Sequence, residues 1–211
     1  MSTEAPMTGA LTVRPYRPAD RDDVYDVCVR TGDAGADARG RFSTDDLLPD
    51  VYAGPYLALE PELATVVDDG TRVVGYVLGT ADTTAWAAAN RARWLPTVAD
   101  RYPLVEPPTT PEDRLVALLH HPERAVHPEL ADHPAHLHVD LLPQVQGRGL
   151  GRLLLRTFLT SLRVRGVPAV HLGASATNTA ALAFYDRLGF RELELRVPGV
   201  VFLGARTDLV V

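Results

Sequence analysis

The segment Gln146-Gly147-Arg148-Gly149-Leu150-Gly151 constrains this chain more than any other, because of the elements it joins. Ahead of it, His136 to Leu142 alternates polar and apolar residues in the manner of a strand and is closed by Pro143. Behind it, Leu150, Leu153, Leu154, Phe158 and Leu162 recur at helical spacing. A strand that passes through glycines into a helix leaves backbone N–H groups unpaired and sets the positive end of the helix dipole in the same place. Both favour an anion, most often a phosphate. The glycines admit the ligand close to the backbone, and Arg148 and Arg152 add formal positive charge. Two other phosphate loops are excluded. A Walker A loop needs Gly-Lys followed by Ser or Thr, and the chain has no lysine. A dinucleotide fingerprint needs its third glycine at position 152, which is arginine, and no acidic residue closes a strand about twenty positions on. The pattern that remains is Q-x-x-G-x-G.

A second pattern lies downstream. Val167 to Leu172 reads as a short strand, followed by Asn178, Ala181, Tyr185, Gly189 and Phe190 in the order N-x-x-A-x-x-x-Y-x-x-x-G-F. Asn178 suits a helix N-cap, and Leu182 shares a helical face with Tyr185. Gly189 stands where a glycine follows a helix, and Phe190 opens the next strand. With both patterns in this order, the chain resembles the GNAT superfamily of acyltransferases. The resemblance implies an α/β (α+β) architecture, the GNAT fold: a mixed, twisted central sheet flanked by helices. It also implies acetyl-CoA as the cofactor. Gln146, Gly147, Arg148, Gly149, Leu150, Gly151 and Arg152 would cradle its pyrophosphate. Backbone groups around Leu141 and Leu142 would pair with the pantetheine arm, Asn178 would touch that arm, and Tyr185 would lie beside the sulfur.

A narrower likeness rests on Arg14-Pro15-Tyr16, the helical stretch Asp22 to Cys28, Gly75 to Asp82, Arg93-Trp94-Leu95-Pro96 and Val139-Asp140-Leu141. These are similar to the acetyltransferase-like domain that closes animal O-GlcNAcase and to its free-standing bacterial relatives. The similarity covers most of residues 13 to 205. It includes a helical insertion over residues 81 to 128, between the third and fourth strands, that ordinary GNAT enzymes lack. The 211 residues hold no glycoside hydrolase portion, and they keep the pyrophosphate loop that the animal domain has lost.

The remaining elements follow from pattern. Leu11 to Arg14 reads as the first strand, and Pro18-Ala19-Asp20 starts a helix to about Arg30. Residues 31 to 43 read as a loop, and Asp45 to Tyr52 as a second helix ended near Gly54-Pro55. Leu63 to Val67 and Val73 to Leu78 form a hairpin around Asp68-Asp69-Gly70. The insertion carries helices over Trp86 to Arg93 and Pro111 to His121. The resulting order is βααββ, insertion, βαβαββ, with residues 1 to 10 as a loose tail and 11 to 211 as one GNAT domain. An apolar share of 46% without an apolar run of about 18 residues argues against a membrane span. A net charge of −6 argues against nucleic acid as the main ligand. Met1 to Ala10 lacks the basic start and apolar core of a signal peptide, and a single cysteine, Cys28, suits a reducing cytoplasm. Cys28 sits among Val24, Val27 and Val29, which makes it a structural thiol. The apolar stretches Gly199 to Leu203 and Leu209 to Val211 leave both a monomer and a homodimer open.

Acyl transfer to an amine needs a held thioester, a deprotonated amine, a stabilised oxyanion and an acid for the departing thiolate. Tyr185 suits the acid, since a phenol of pKa about 10 stays protonated near neutrality. Asp140 occupies the place where the O-GlcNAcase-like relatives carry an aspartate, and it is the candidate base, directly or through water. The alternative is that it only orients a neighbour or anchors a bulge. His138, two residues earlier on the same strand face, is a rival with the better intrinsic pKa. Asp82 and His171 are weaker candidates. His136, His138 and Asp140 do not suggest a metal site. The first and last are roughly 13 Å apart along a strand, too far for ligand bonds of about 2 Å. No metal is expected. Trp86, Trp94 and Tyr102 are candidates for the wall of a substrate pocket, or for core. The expected activity is acetyl-CoA-dependent N-acetylation of an unidentified primary amine, on a small molecule or peptide. The rival is a catalytically silent acyl-CoA-binding module with a regulatory or interaction role.

Overall fold

The computed structural model describes residues 10–211; the tail expected over Met1 to Ala10 lies outside them except for its last residue. The chain runs β1 (Thr12–Pro15), α1 (Arg21–Thr31), α2 (Leu47–Tyr52), α3 (Gly54–Leu59), β2 (Thr65–Asp68) and β3 (Val73–Thr80). The segment expected as an insertion then contributes α4 (Thr83–Ala89), α5 (Leu95–Val98) and α6 (Pro111–His120). The remainder is β4 (Ala135–Leu141), α7 (Leu150–Val164), β5 (Ala169–Ser175), α8 (Thr179–Arg187), β6 (Arg191–Val197) and β7 (Val200–Arg206). One seven-stranded sheet has the order β1-β2-β3-β4-β5-β7-β6. Every pairing is antiparallel except β4 with β5. This is the mixed sheet with flanking helices that the patterns imply.

β3 is buried along its whole length, as a strand covered on both faces must be. Tyr76, at an even position, lies against Cys28 of α1, whereas Gly79, at an odd one, faces Phe158 of α7. Alternation therefore sets α1 and α7 on opposite faces of the sheet. Gly79 is a requirement of that packing. A Cβ there would fall 2.2 Å from the His136 carbonyl oxygen and 2.5 Å from Phe158. In α7, Leu154, Leu155, Phe158, Leu159 and Leu162 are buried while Arg152, Arg156 and Thr160 face outward. Each such burial stabilises the fold by roughly 1.5–3 kcal/mol relative to exposure.

Two boundaries differ from the sequence reading. Gly54-Pro55 does not only stop α2; it opens α3, where proline occupies the first turn and its missing N–H costs nothing. The helix expected to end at Arg93 runs on from α4 through a π-turn at Asn90–Trp94 into α5, with Pro96 again in a first turn. No helix among the described residues is long and apolar enough to cross a membrane.

Candidate active site

β4 and β5 are paired only at Ala135↔Val170 and His136↔His171. Beyond those pairs β4 stays with β3 as far as Leu141, while β5 follows β7 to Ser175. The two central strands thus part, and the far half of β4 has one free edge. The Leu142 N–H is spent on the Val74 carbonyl at 2.9 Å. Because N–H directions alternate along a strand, those of Val139 and Leu141 point into the gap.

The glycine loop closes this gap at one end. The Gln146 side chain donates to the Leu141 carbonyl oxygen at 2.8 Å and ties the loop back to the strand. Gly147 and Gly149 have φ of +72° and +78°, a conformation that side chains resist, and no atom lies within 4 Å of where their Cβ atoms would be. Gly149 is the N-cap of α7 and offers no side chain, so the first-turn N–H groups of a fifteen-residue helix stay open. Gly151 serves packing, since a Cβ there would meet Phe184 of α8 at 2.9 Å. Asn178 caps α8 by accepting from the Ala181 N–H at 3.1 Å, which leaves its amide nitrogen turned toward Gly35.

These elements enclose a cavity of about 710 Å³. Of the residues singled out for the cofactor, Leu141, Gln146, Gly147, Gly149, Leu150, Gly151, Arg152 and Asn178 line it, together with Asp140 and Tyr185. Leu142 and Arg148 do not. Leu142 is fully buried with its N–H committed to β3, and Arg148 is exposed and is not part of the lining. Ala34, Gly35 and Ala36 of the first long loop and Arg187 at the end of α8 also line it, without any local signal in the sequence.

Asp140 sits opposite Tyr76 in the β3–β4 register and accepts from its hydroxyl at 2.7 Å. Burial raises the Asp140 pKa above the ordinary carboxylate value, against the opposing pull of hydrogen bonds from Tyr76 and Thr31. The residue as a whole is only half-buried because it opens to the cavity. The Tyr185 hydroxyl makes no hydrogen bond among the described residues. Burial, and then the charge of Asp140, hold its pKa far above that of a free phenol. Cys28 is buried and its thiol is pushed up by burial, so it is a structural thiol.

His138 shares a face with Asp140 but opens to a different cavity, of about 290 Å³. There Tyr56 Oη lies 2.7 Å from His136 Nε2 and 3.1 Å from His138 Nε2. The proton pattern follows from the far end. Thr83 Oγ1 donates to the Pro134 carbonyl at 2.8 Å, so His136 Nδ1, 2.8 Å away, must donate to Thr83. His136 Nε2 then accepts from Tyr56, and Tyr56 accepts from the His138 Nε2–H. Asp82 is occupied as the N-cap of α4, accepting from Ala85 N–H at 3.0 Å. His171 Nδ1 is bonded to the His133 carbonyl at 2.8 Å. Of the three insertion aromatics, only Trp86 lines this cavity. Trp94 Nε1 donates to the Asp50 backbone carbonyl at 3.0 Å, and the Tyr102 hydroxyl donates to the Asp50 carboxylate at 2.7 Å. Among the described residues no three His, Cys, Asp or Glu side chains converge as a metal site.

Burial, and then His171, push His138 down to about 4. Its folded pKa lies below its unfolded value, so the unfolded chain takes up a proton first as the solution is acidified. Stability should fall between about pH 6.5 and 4, with this residue contributing on the order of 3 kcal/mol to the loss. Urea unfolding across that range should show a shallower slope for His138→Gln; an unaltered slope would contradict the assignment.

The family model described as the Acetyltransferase (GNAT) family matches residues 40–190. Protein O-GlcNAcase of Rattus norvegicus is 28% identical over 197 residues, which are 89% of this chain and 21% of that protein, so the chain spans about a fifth of that relative's length. Mycothiol acetyltransferase of Rhodococcus opacus is 47% identical over 75 residues, 34% of this chain and 25% of that protein. The crystal structure of SsHAT is 55% identical with a TM-score of 0.90, over 94% of this chain and 99% of that one. The structure of yncA from Salmonella typhimurium with its cofactor acetyl-CoA shares the fold, with a TM-score of 0.53 at 18% identity, over 95% of each chain.

Proposed function

Since the chain belongs to the GNAT acetyltransferase family, we propose that it transfers the acetyl group of acetyl-CoA directly to a primary amine. The observation that carries this reading is the convergence of three things on one cavity: a free β4 edge, a carboxylate and an unpaired phenol. The residues present fit the cofactor. The open N-terminus of α7 and the bare glycines suit a pyrophosphate, with the exposed Arg152 and Arg187 beside it. The Val139 and Leu141 N–H groups suit the pantetheine amides, and one of them also suits the thioester oxygen as negative charge develops there. When bound, acetyl-CoA supplies an activated acyl thioester. Asp140 takes a proton from the attacking amine, directly or through water, and burial makes it a better base than an ordinary carboxylate. Tyr185 gives its proton to the sulfur as the carbon–sulfur bond breaks. A thiolate formed in the same apolar surroundings is made more basic too, so donor and acceptor remain matched.

Acetyl-CoA is expected to raise the melting temperature, while ATP and NAD are not. Free thiol should appear from acetyl-CoA in the presence of a competent amine. No thermal shift with acetyl-CoA would sink the reading. A shift without thiol release from any amine would leave the silent acyl-CoA-binding module.

A further inference from the structure

The base of the proposed reaction, Asp140, is met by Thr31 and Cys28 from α1, Tyr76 from β3 and Tyr185 from α8. None of these is a cation, so hydrogen bonding is what opposes burial at this carboxylate. His138, two residues back on the same face, is turned to Tyr56 instead. Tyr185 senses the charge of Asp140 without a hydrogen bond between them. Thr31 pulls less than Tyr76, because its hydroxyl hydrogen is engaged by the Val27 carbonyl oxygen at 2.8 Å. Tyr76 is the main donor, giving its hydrogen to Oδ2 at 2.7 Å.

The place of Tyr76 in the fold suits this one task. It is 0% exposed, in a strand buried along its whole length, where phenylalanine would pack without a polar atom to satisfy. It stands directly opposite Asp140 in the β3–β4 register. Since the Leu142 N–H goes to Val74, alternation makes Tyr76 and Asp140 a pair that also exchanges backbone bonds. The side-chain bond is therefore laid over a rigid backbone pair, which restricts how the carboxylate can turn. It uses Oδ2, while the residue opens to the cavity. Burial, and then the charge of Asp140, hold the Tyr76 pKa well above that of a free phenol, so its hydrogen stays in place. The neighbouring Cys28 thiol is kept protonated by burial and does not compete for that hydrogen as an anion.

Resting on the acetyltransferase reading above, we infer that Tyr76 is a positioning residue for the transfer: it clamps Oδ2 of Asp140 so that Oδ1 is presented to the incoming amine or to a water between them. The proton passes from the amine nitrogen to the carboxylate, and Tyr76 keeps its own. The clamp also has an electrostatic effect of definite sign. A hydrogen bond to the ionised form partly offsets the rise caused by burial, and so favours the form of Asp140 that can take a proton.

The test is Tyr76→Phe in the full chain, read in two ways. Followed by isotope-edited carboxyl NMR, Asp140 should titrate about one to two pH units higher in the variant, the worth of one hydrogen bond to a charged group. The second reading is the ratio of kcat/KM, variant over wild type, for acetylation of n-butylamine across pH; the ionisation of the amine cancels in this ratio. On the alkaline side, where Asp140 is ionised in both proteins, the ratio should be lower than one by roughly tenfold or more, since the carboxylate is no longer held. It should fall a further ten- to hundredfold or so as pH drops through the two Asp140 pKa values. A merely structural tyrosine would give a ratio that does not change with pH. Should Tyr76→Phe fail to fold, 3-fluorotyrosine at position 76 has the more acidic phenol, donates more strongly, and should move the Asp140 titration down instead. An Asp140 titration that neither substitution moves would overturn the inference whatever the activity. A moved titration with a ratio that does not change with pH would overturn it too, because Asp140 would not then be the base. A wild type that acetylates no amine removes the acetyltransferase reading and leaves the titration to decide the clamp alone.

Discussion

Tyr185→Phe should slow acetyl transfer by roughly 100- to 10,000-fold, the range for losing a positioned proton donor, and leave affinity for acetyl-CoA nearly intact. The substitution isolates the hydroxyl. The ring is 6% exposed and packs against Phe184 and Phe190, with centroids 5.3 and 5.4 Å away. Phenylalanine keeps all of that packing. The hydroxyl has no partner among the described residues, so its removal orphans nothing there and the melting temperature should hold. Steady-state kinetics give kcat, and calorimetry gives the affinity for acetyl-CoA. A large fall in kcat at constant affinity means that the interaction exists only in the transition state. Unchanged turnover would take Tyr185 out of its assigned role, and weakened cofactor binding would make it a wall rather than an acid.

The parts of this site that were legible in the sequence are those whose signals are local. Gln146, Gly149 and Gly151 announce a loop because a strand, two glycines at special positions and an amphipathic helix follow one another within a few residues. Asn178, Tyr185 and Gly189 mark the start, face and end of one helix in the same way. What failed to show depends on partners far along the chain. Whether Leu141 or Leu142 offers its N–H to a ligand is a matter of parity against β3, fixed by a bond to Val74 that no local pattern reveals. His138 and Asp140 share a face by alternation, as expected, yet Tyr56, 82 residues before His138, draws the histidine into a separate cavity. Gly54-Pro55 reads as a stop because proline ends helices, but proline also begins them, and only the packing of Pro55 and Tyr56 selects between the two. The three insertion aromatics look alike in the sequence. They part company because a buried acid, unremarked among its neighbours Leu48, Pro49 and Val51, takes Tyr102 on its carboxylate and Trp94 on its backbone carbonyl.

That acid is Asp50, and Asp50→Ala is expected to destabilise the protein by about 3–5 kcal/mol, the cost of breaking a buried charged network from one side. Its side chain is 0% exposed. Oδ1 accepts from the Tyr25 hydroxyl at 2.7 Å, and Oδ2 accepts from the Tyr102 hydroxyl at 2.7 Å and pairs with the Arg101 guanidinium at 2.9 Å. Arg101 is 46% exposed and can return to water. The two tyrosines are each 5% exposed and cannot, so alanine leaves two buried donors without acceptors. The Tyr25 pKa is held far above a free phenol, chiefly by burial and then by Asp50, as befits a group that serves here only as a donor. The bonds join α1, α2 and the segment after α5, so the loss is felt across the insertion as well as the sheet. For a chain of this size the melting temperature should drop by roughly 10 °C. Urea unfolding at pH 7 should show the midpoint falling with little change in the denaturant slope. Asp50→Asn should cost less, because its carbonyl still serves one tyrosine while only the charge and the second acceptor are lost. A loss below about 1 kcal/mol for alanine, within the range of an ordinary hydrogen bond, would mean that water replaces the carboxylate. In that case the insertion does not depend on Asp50 to hold Tyr102.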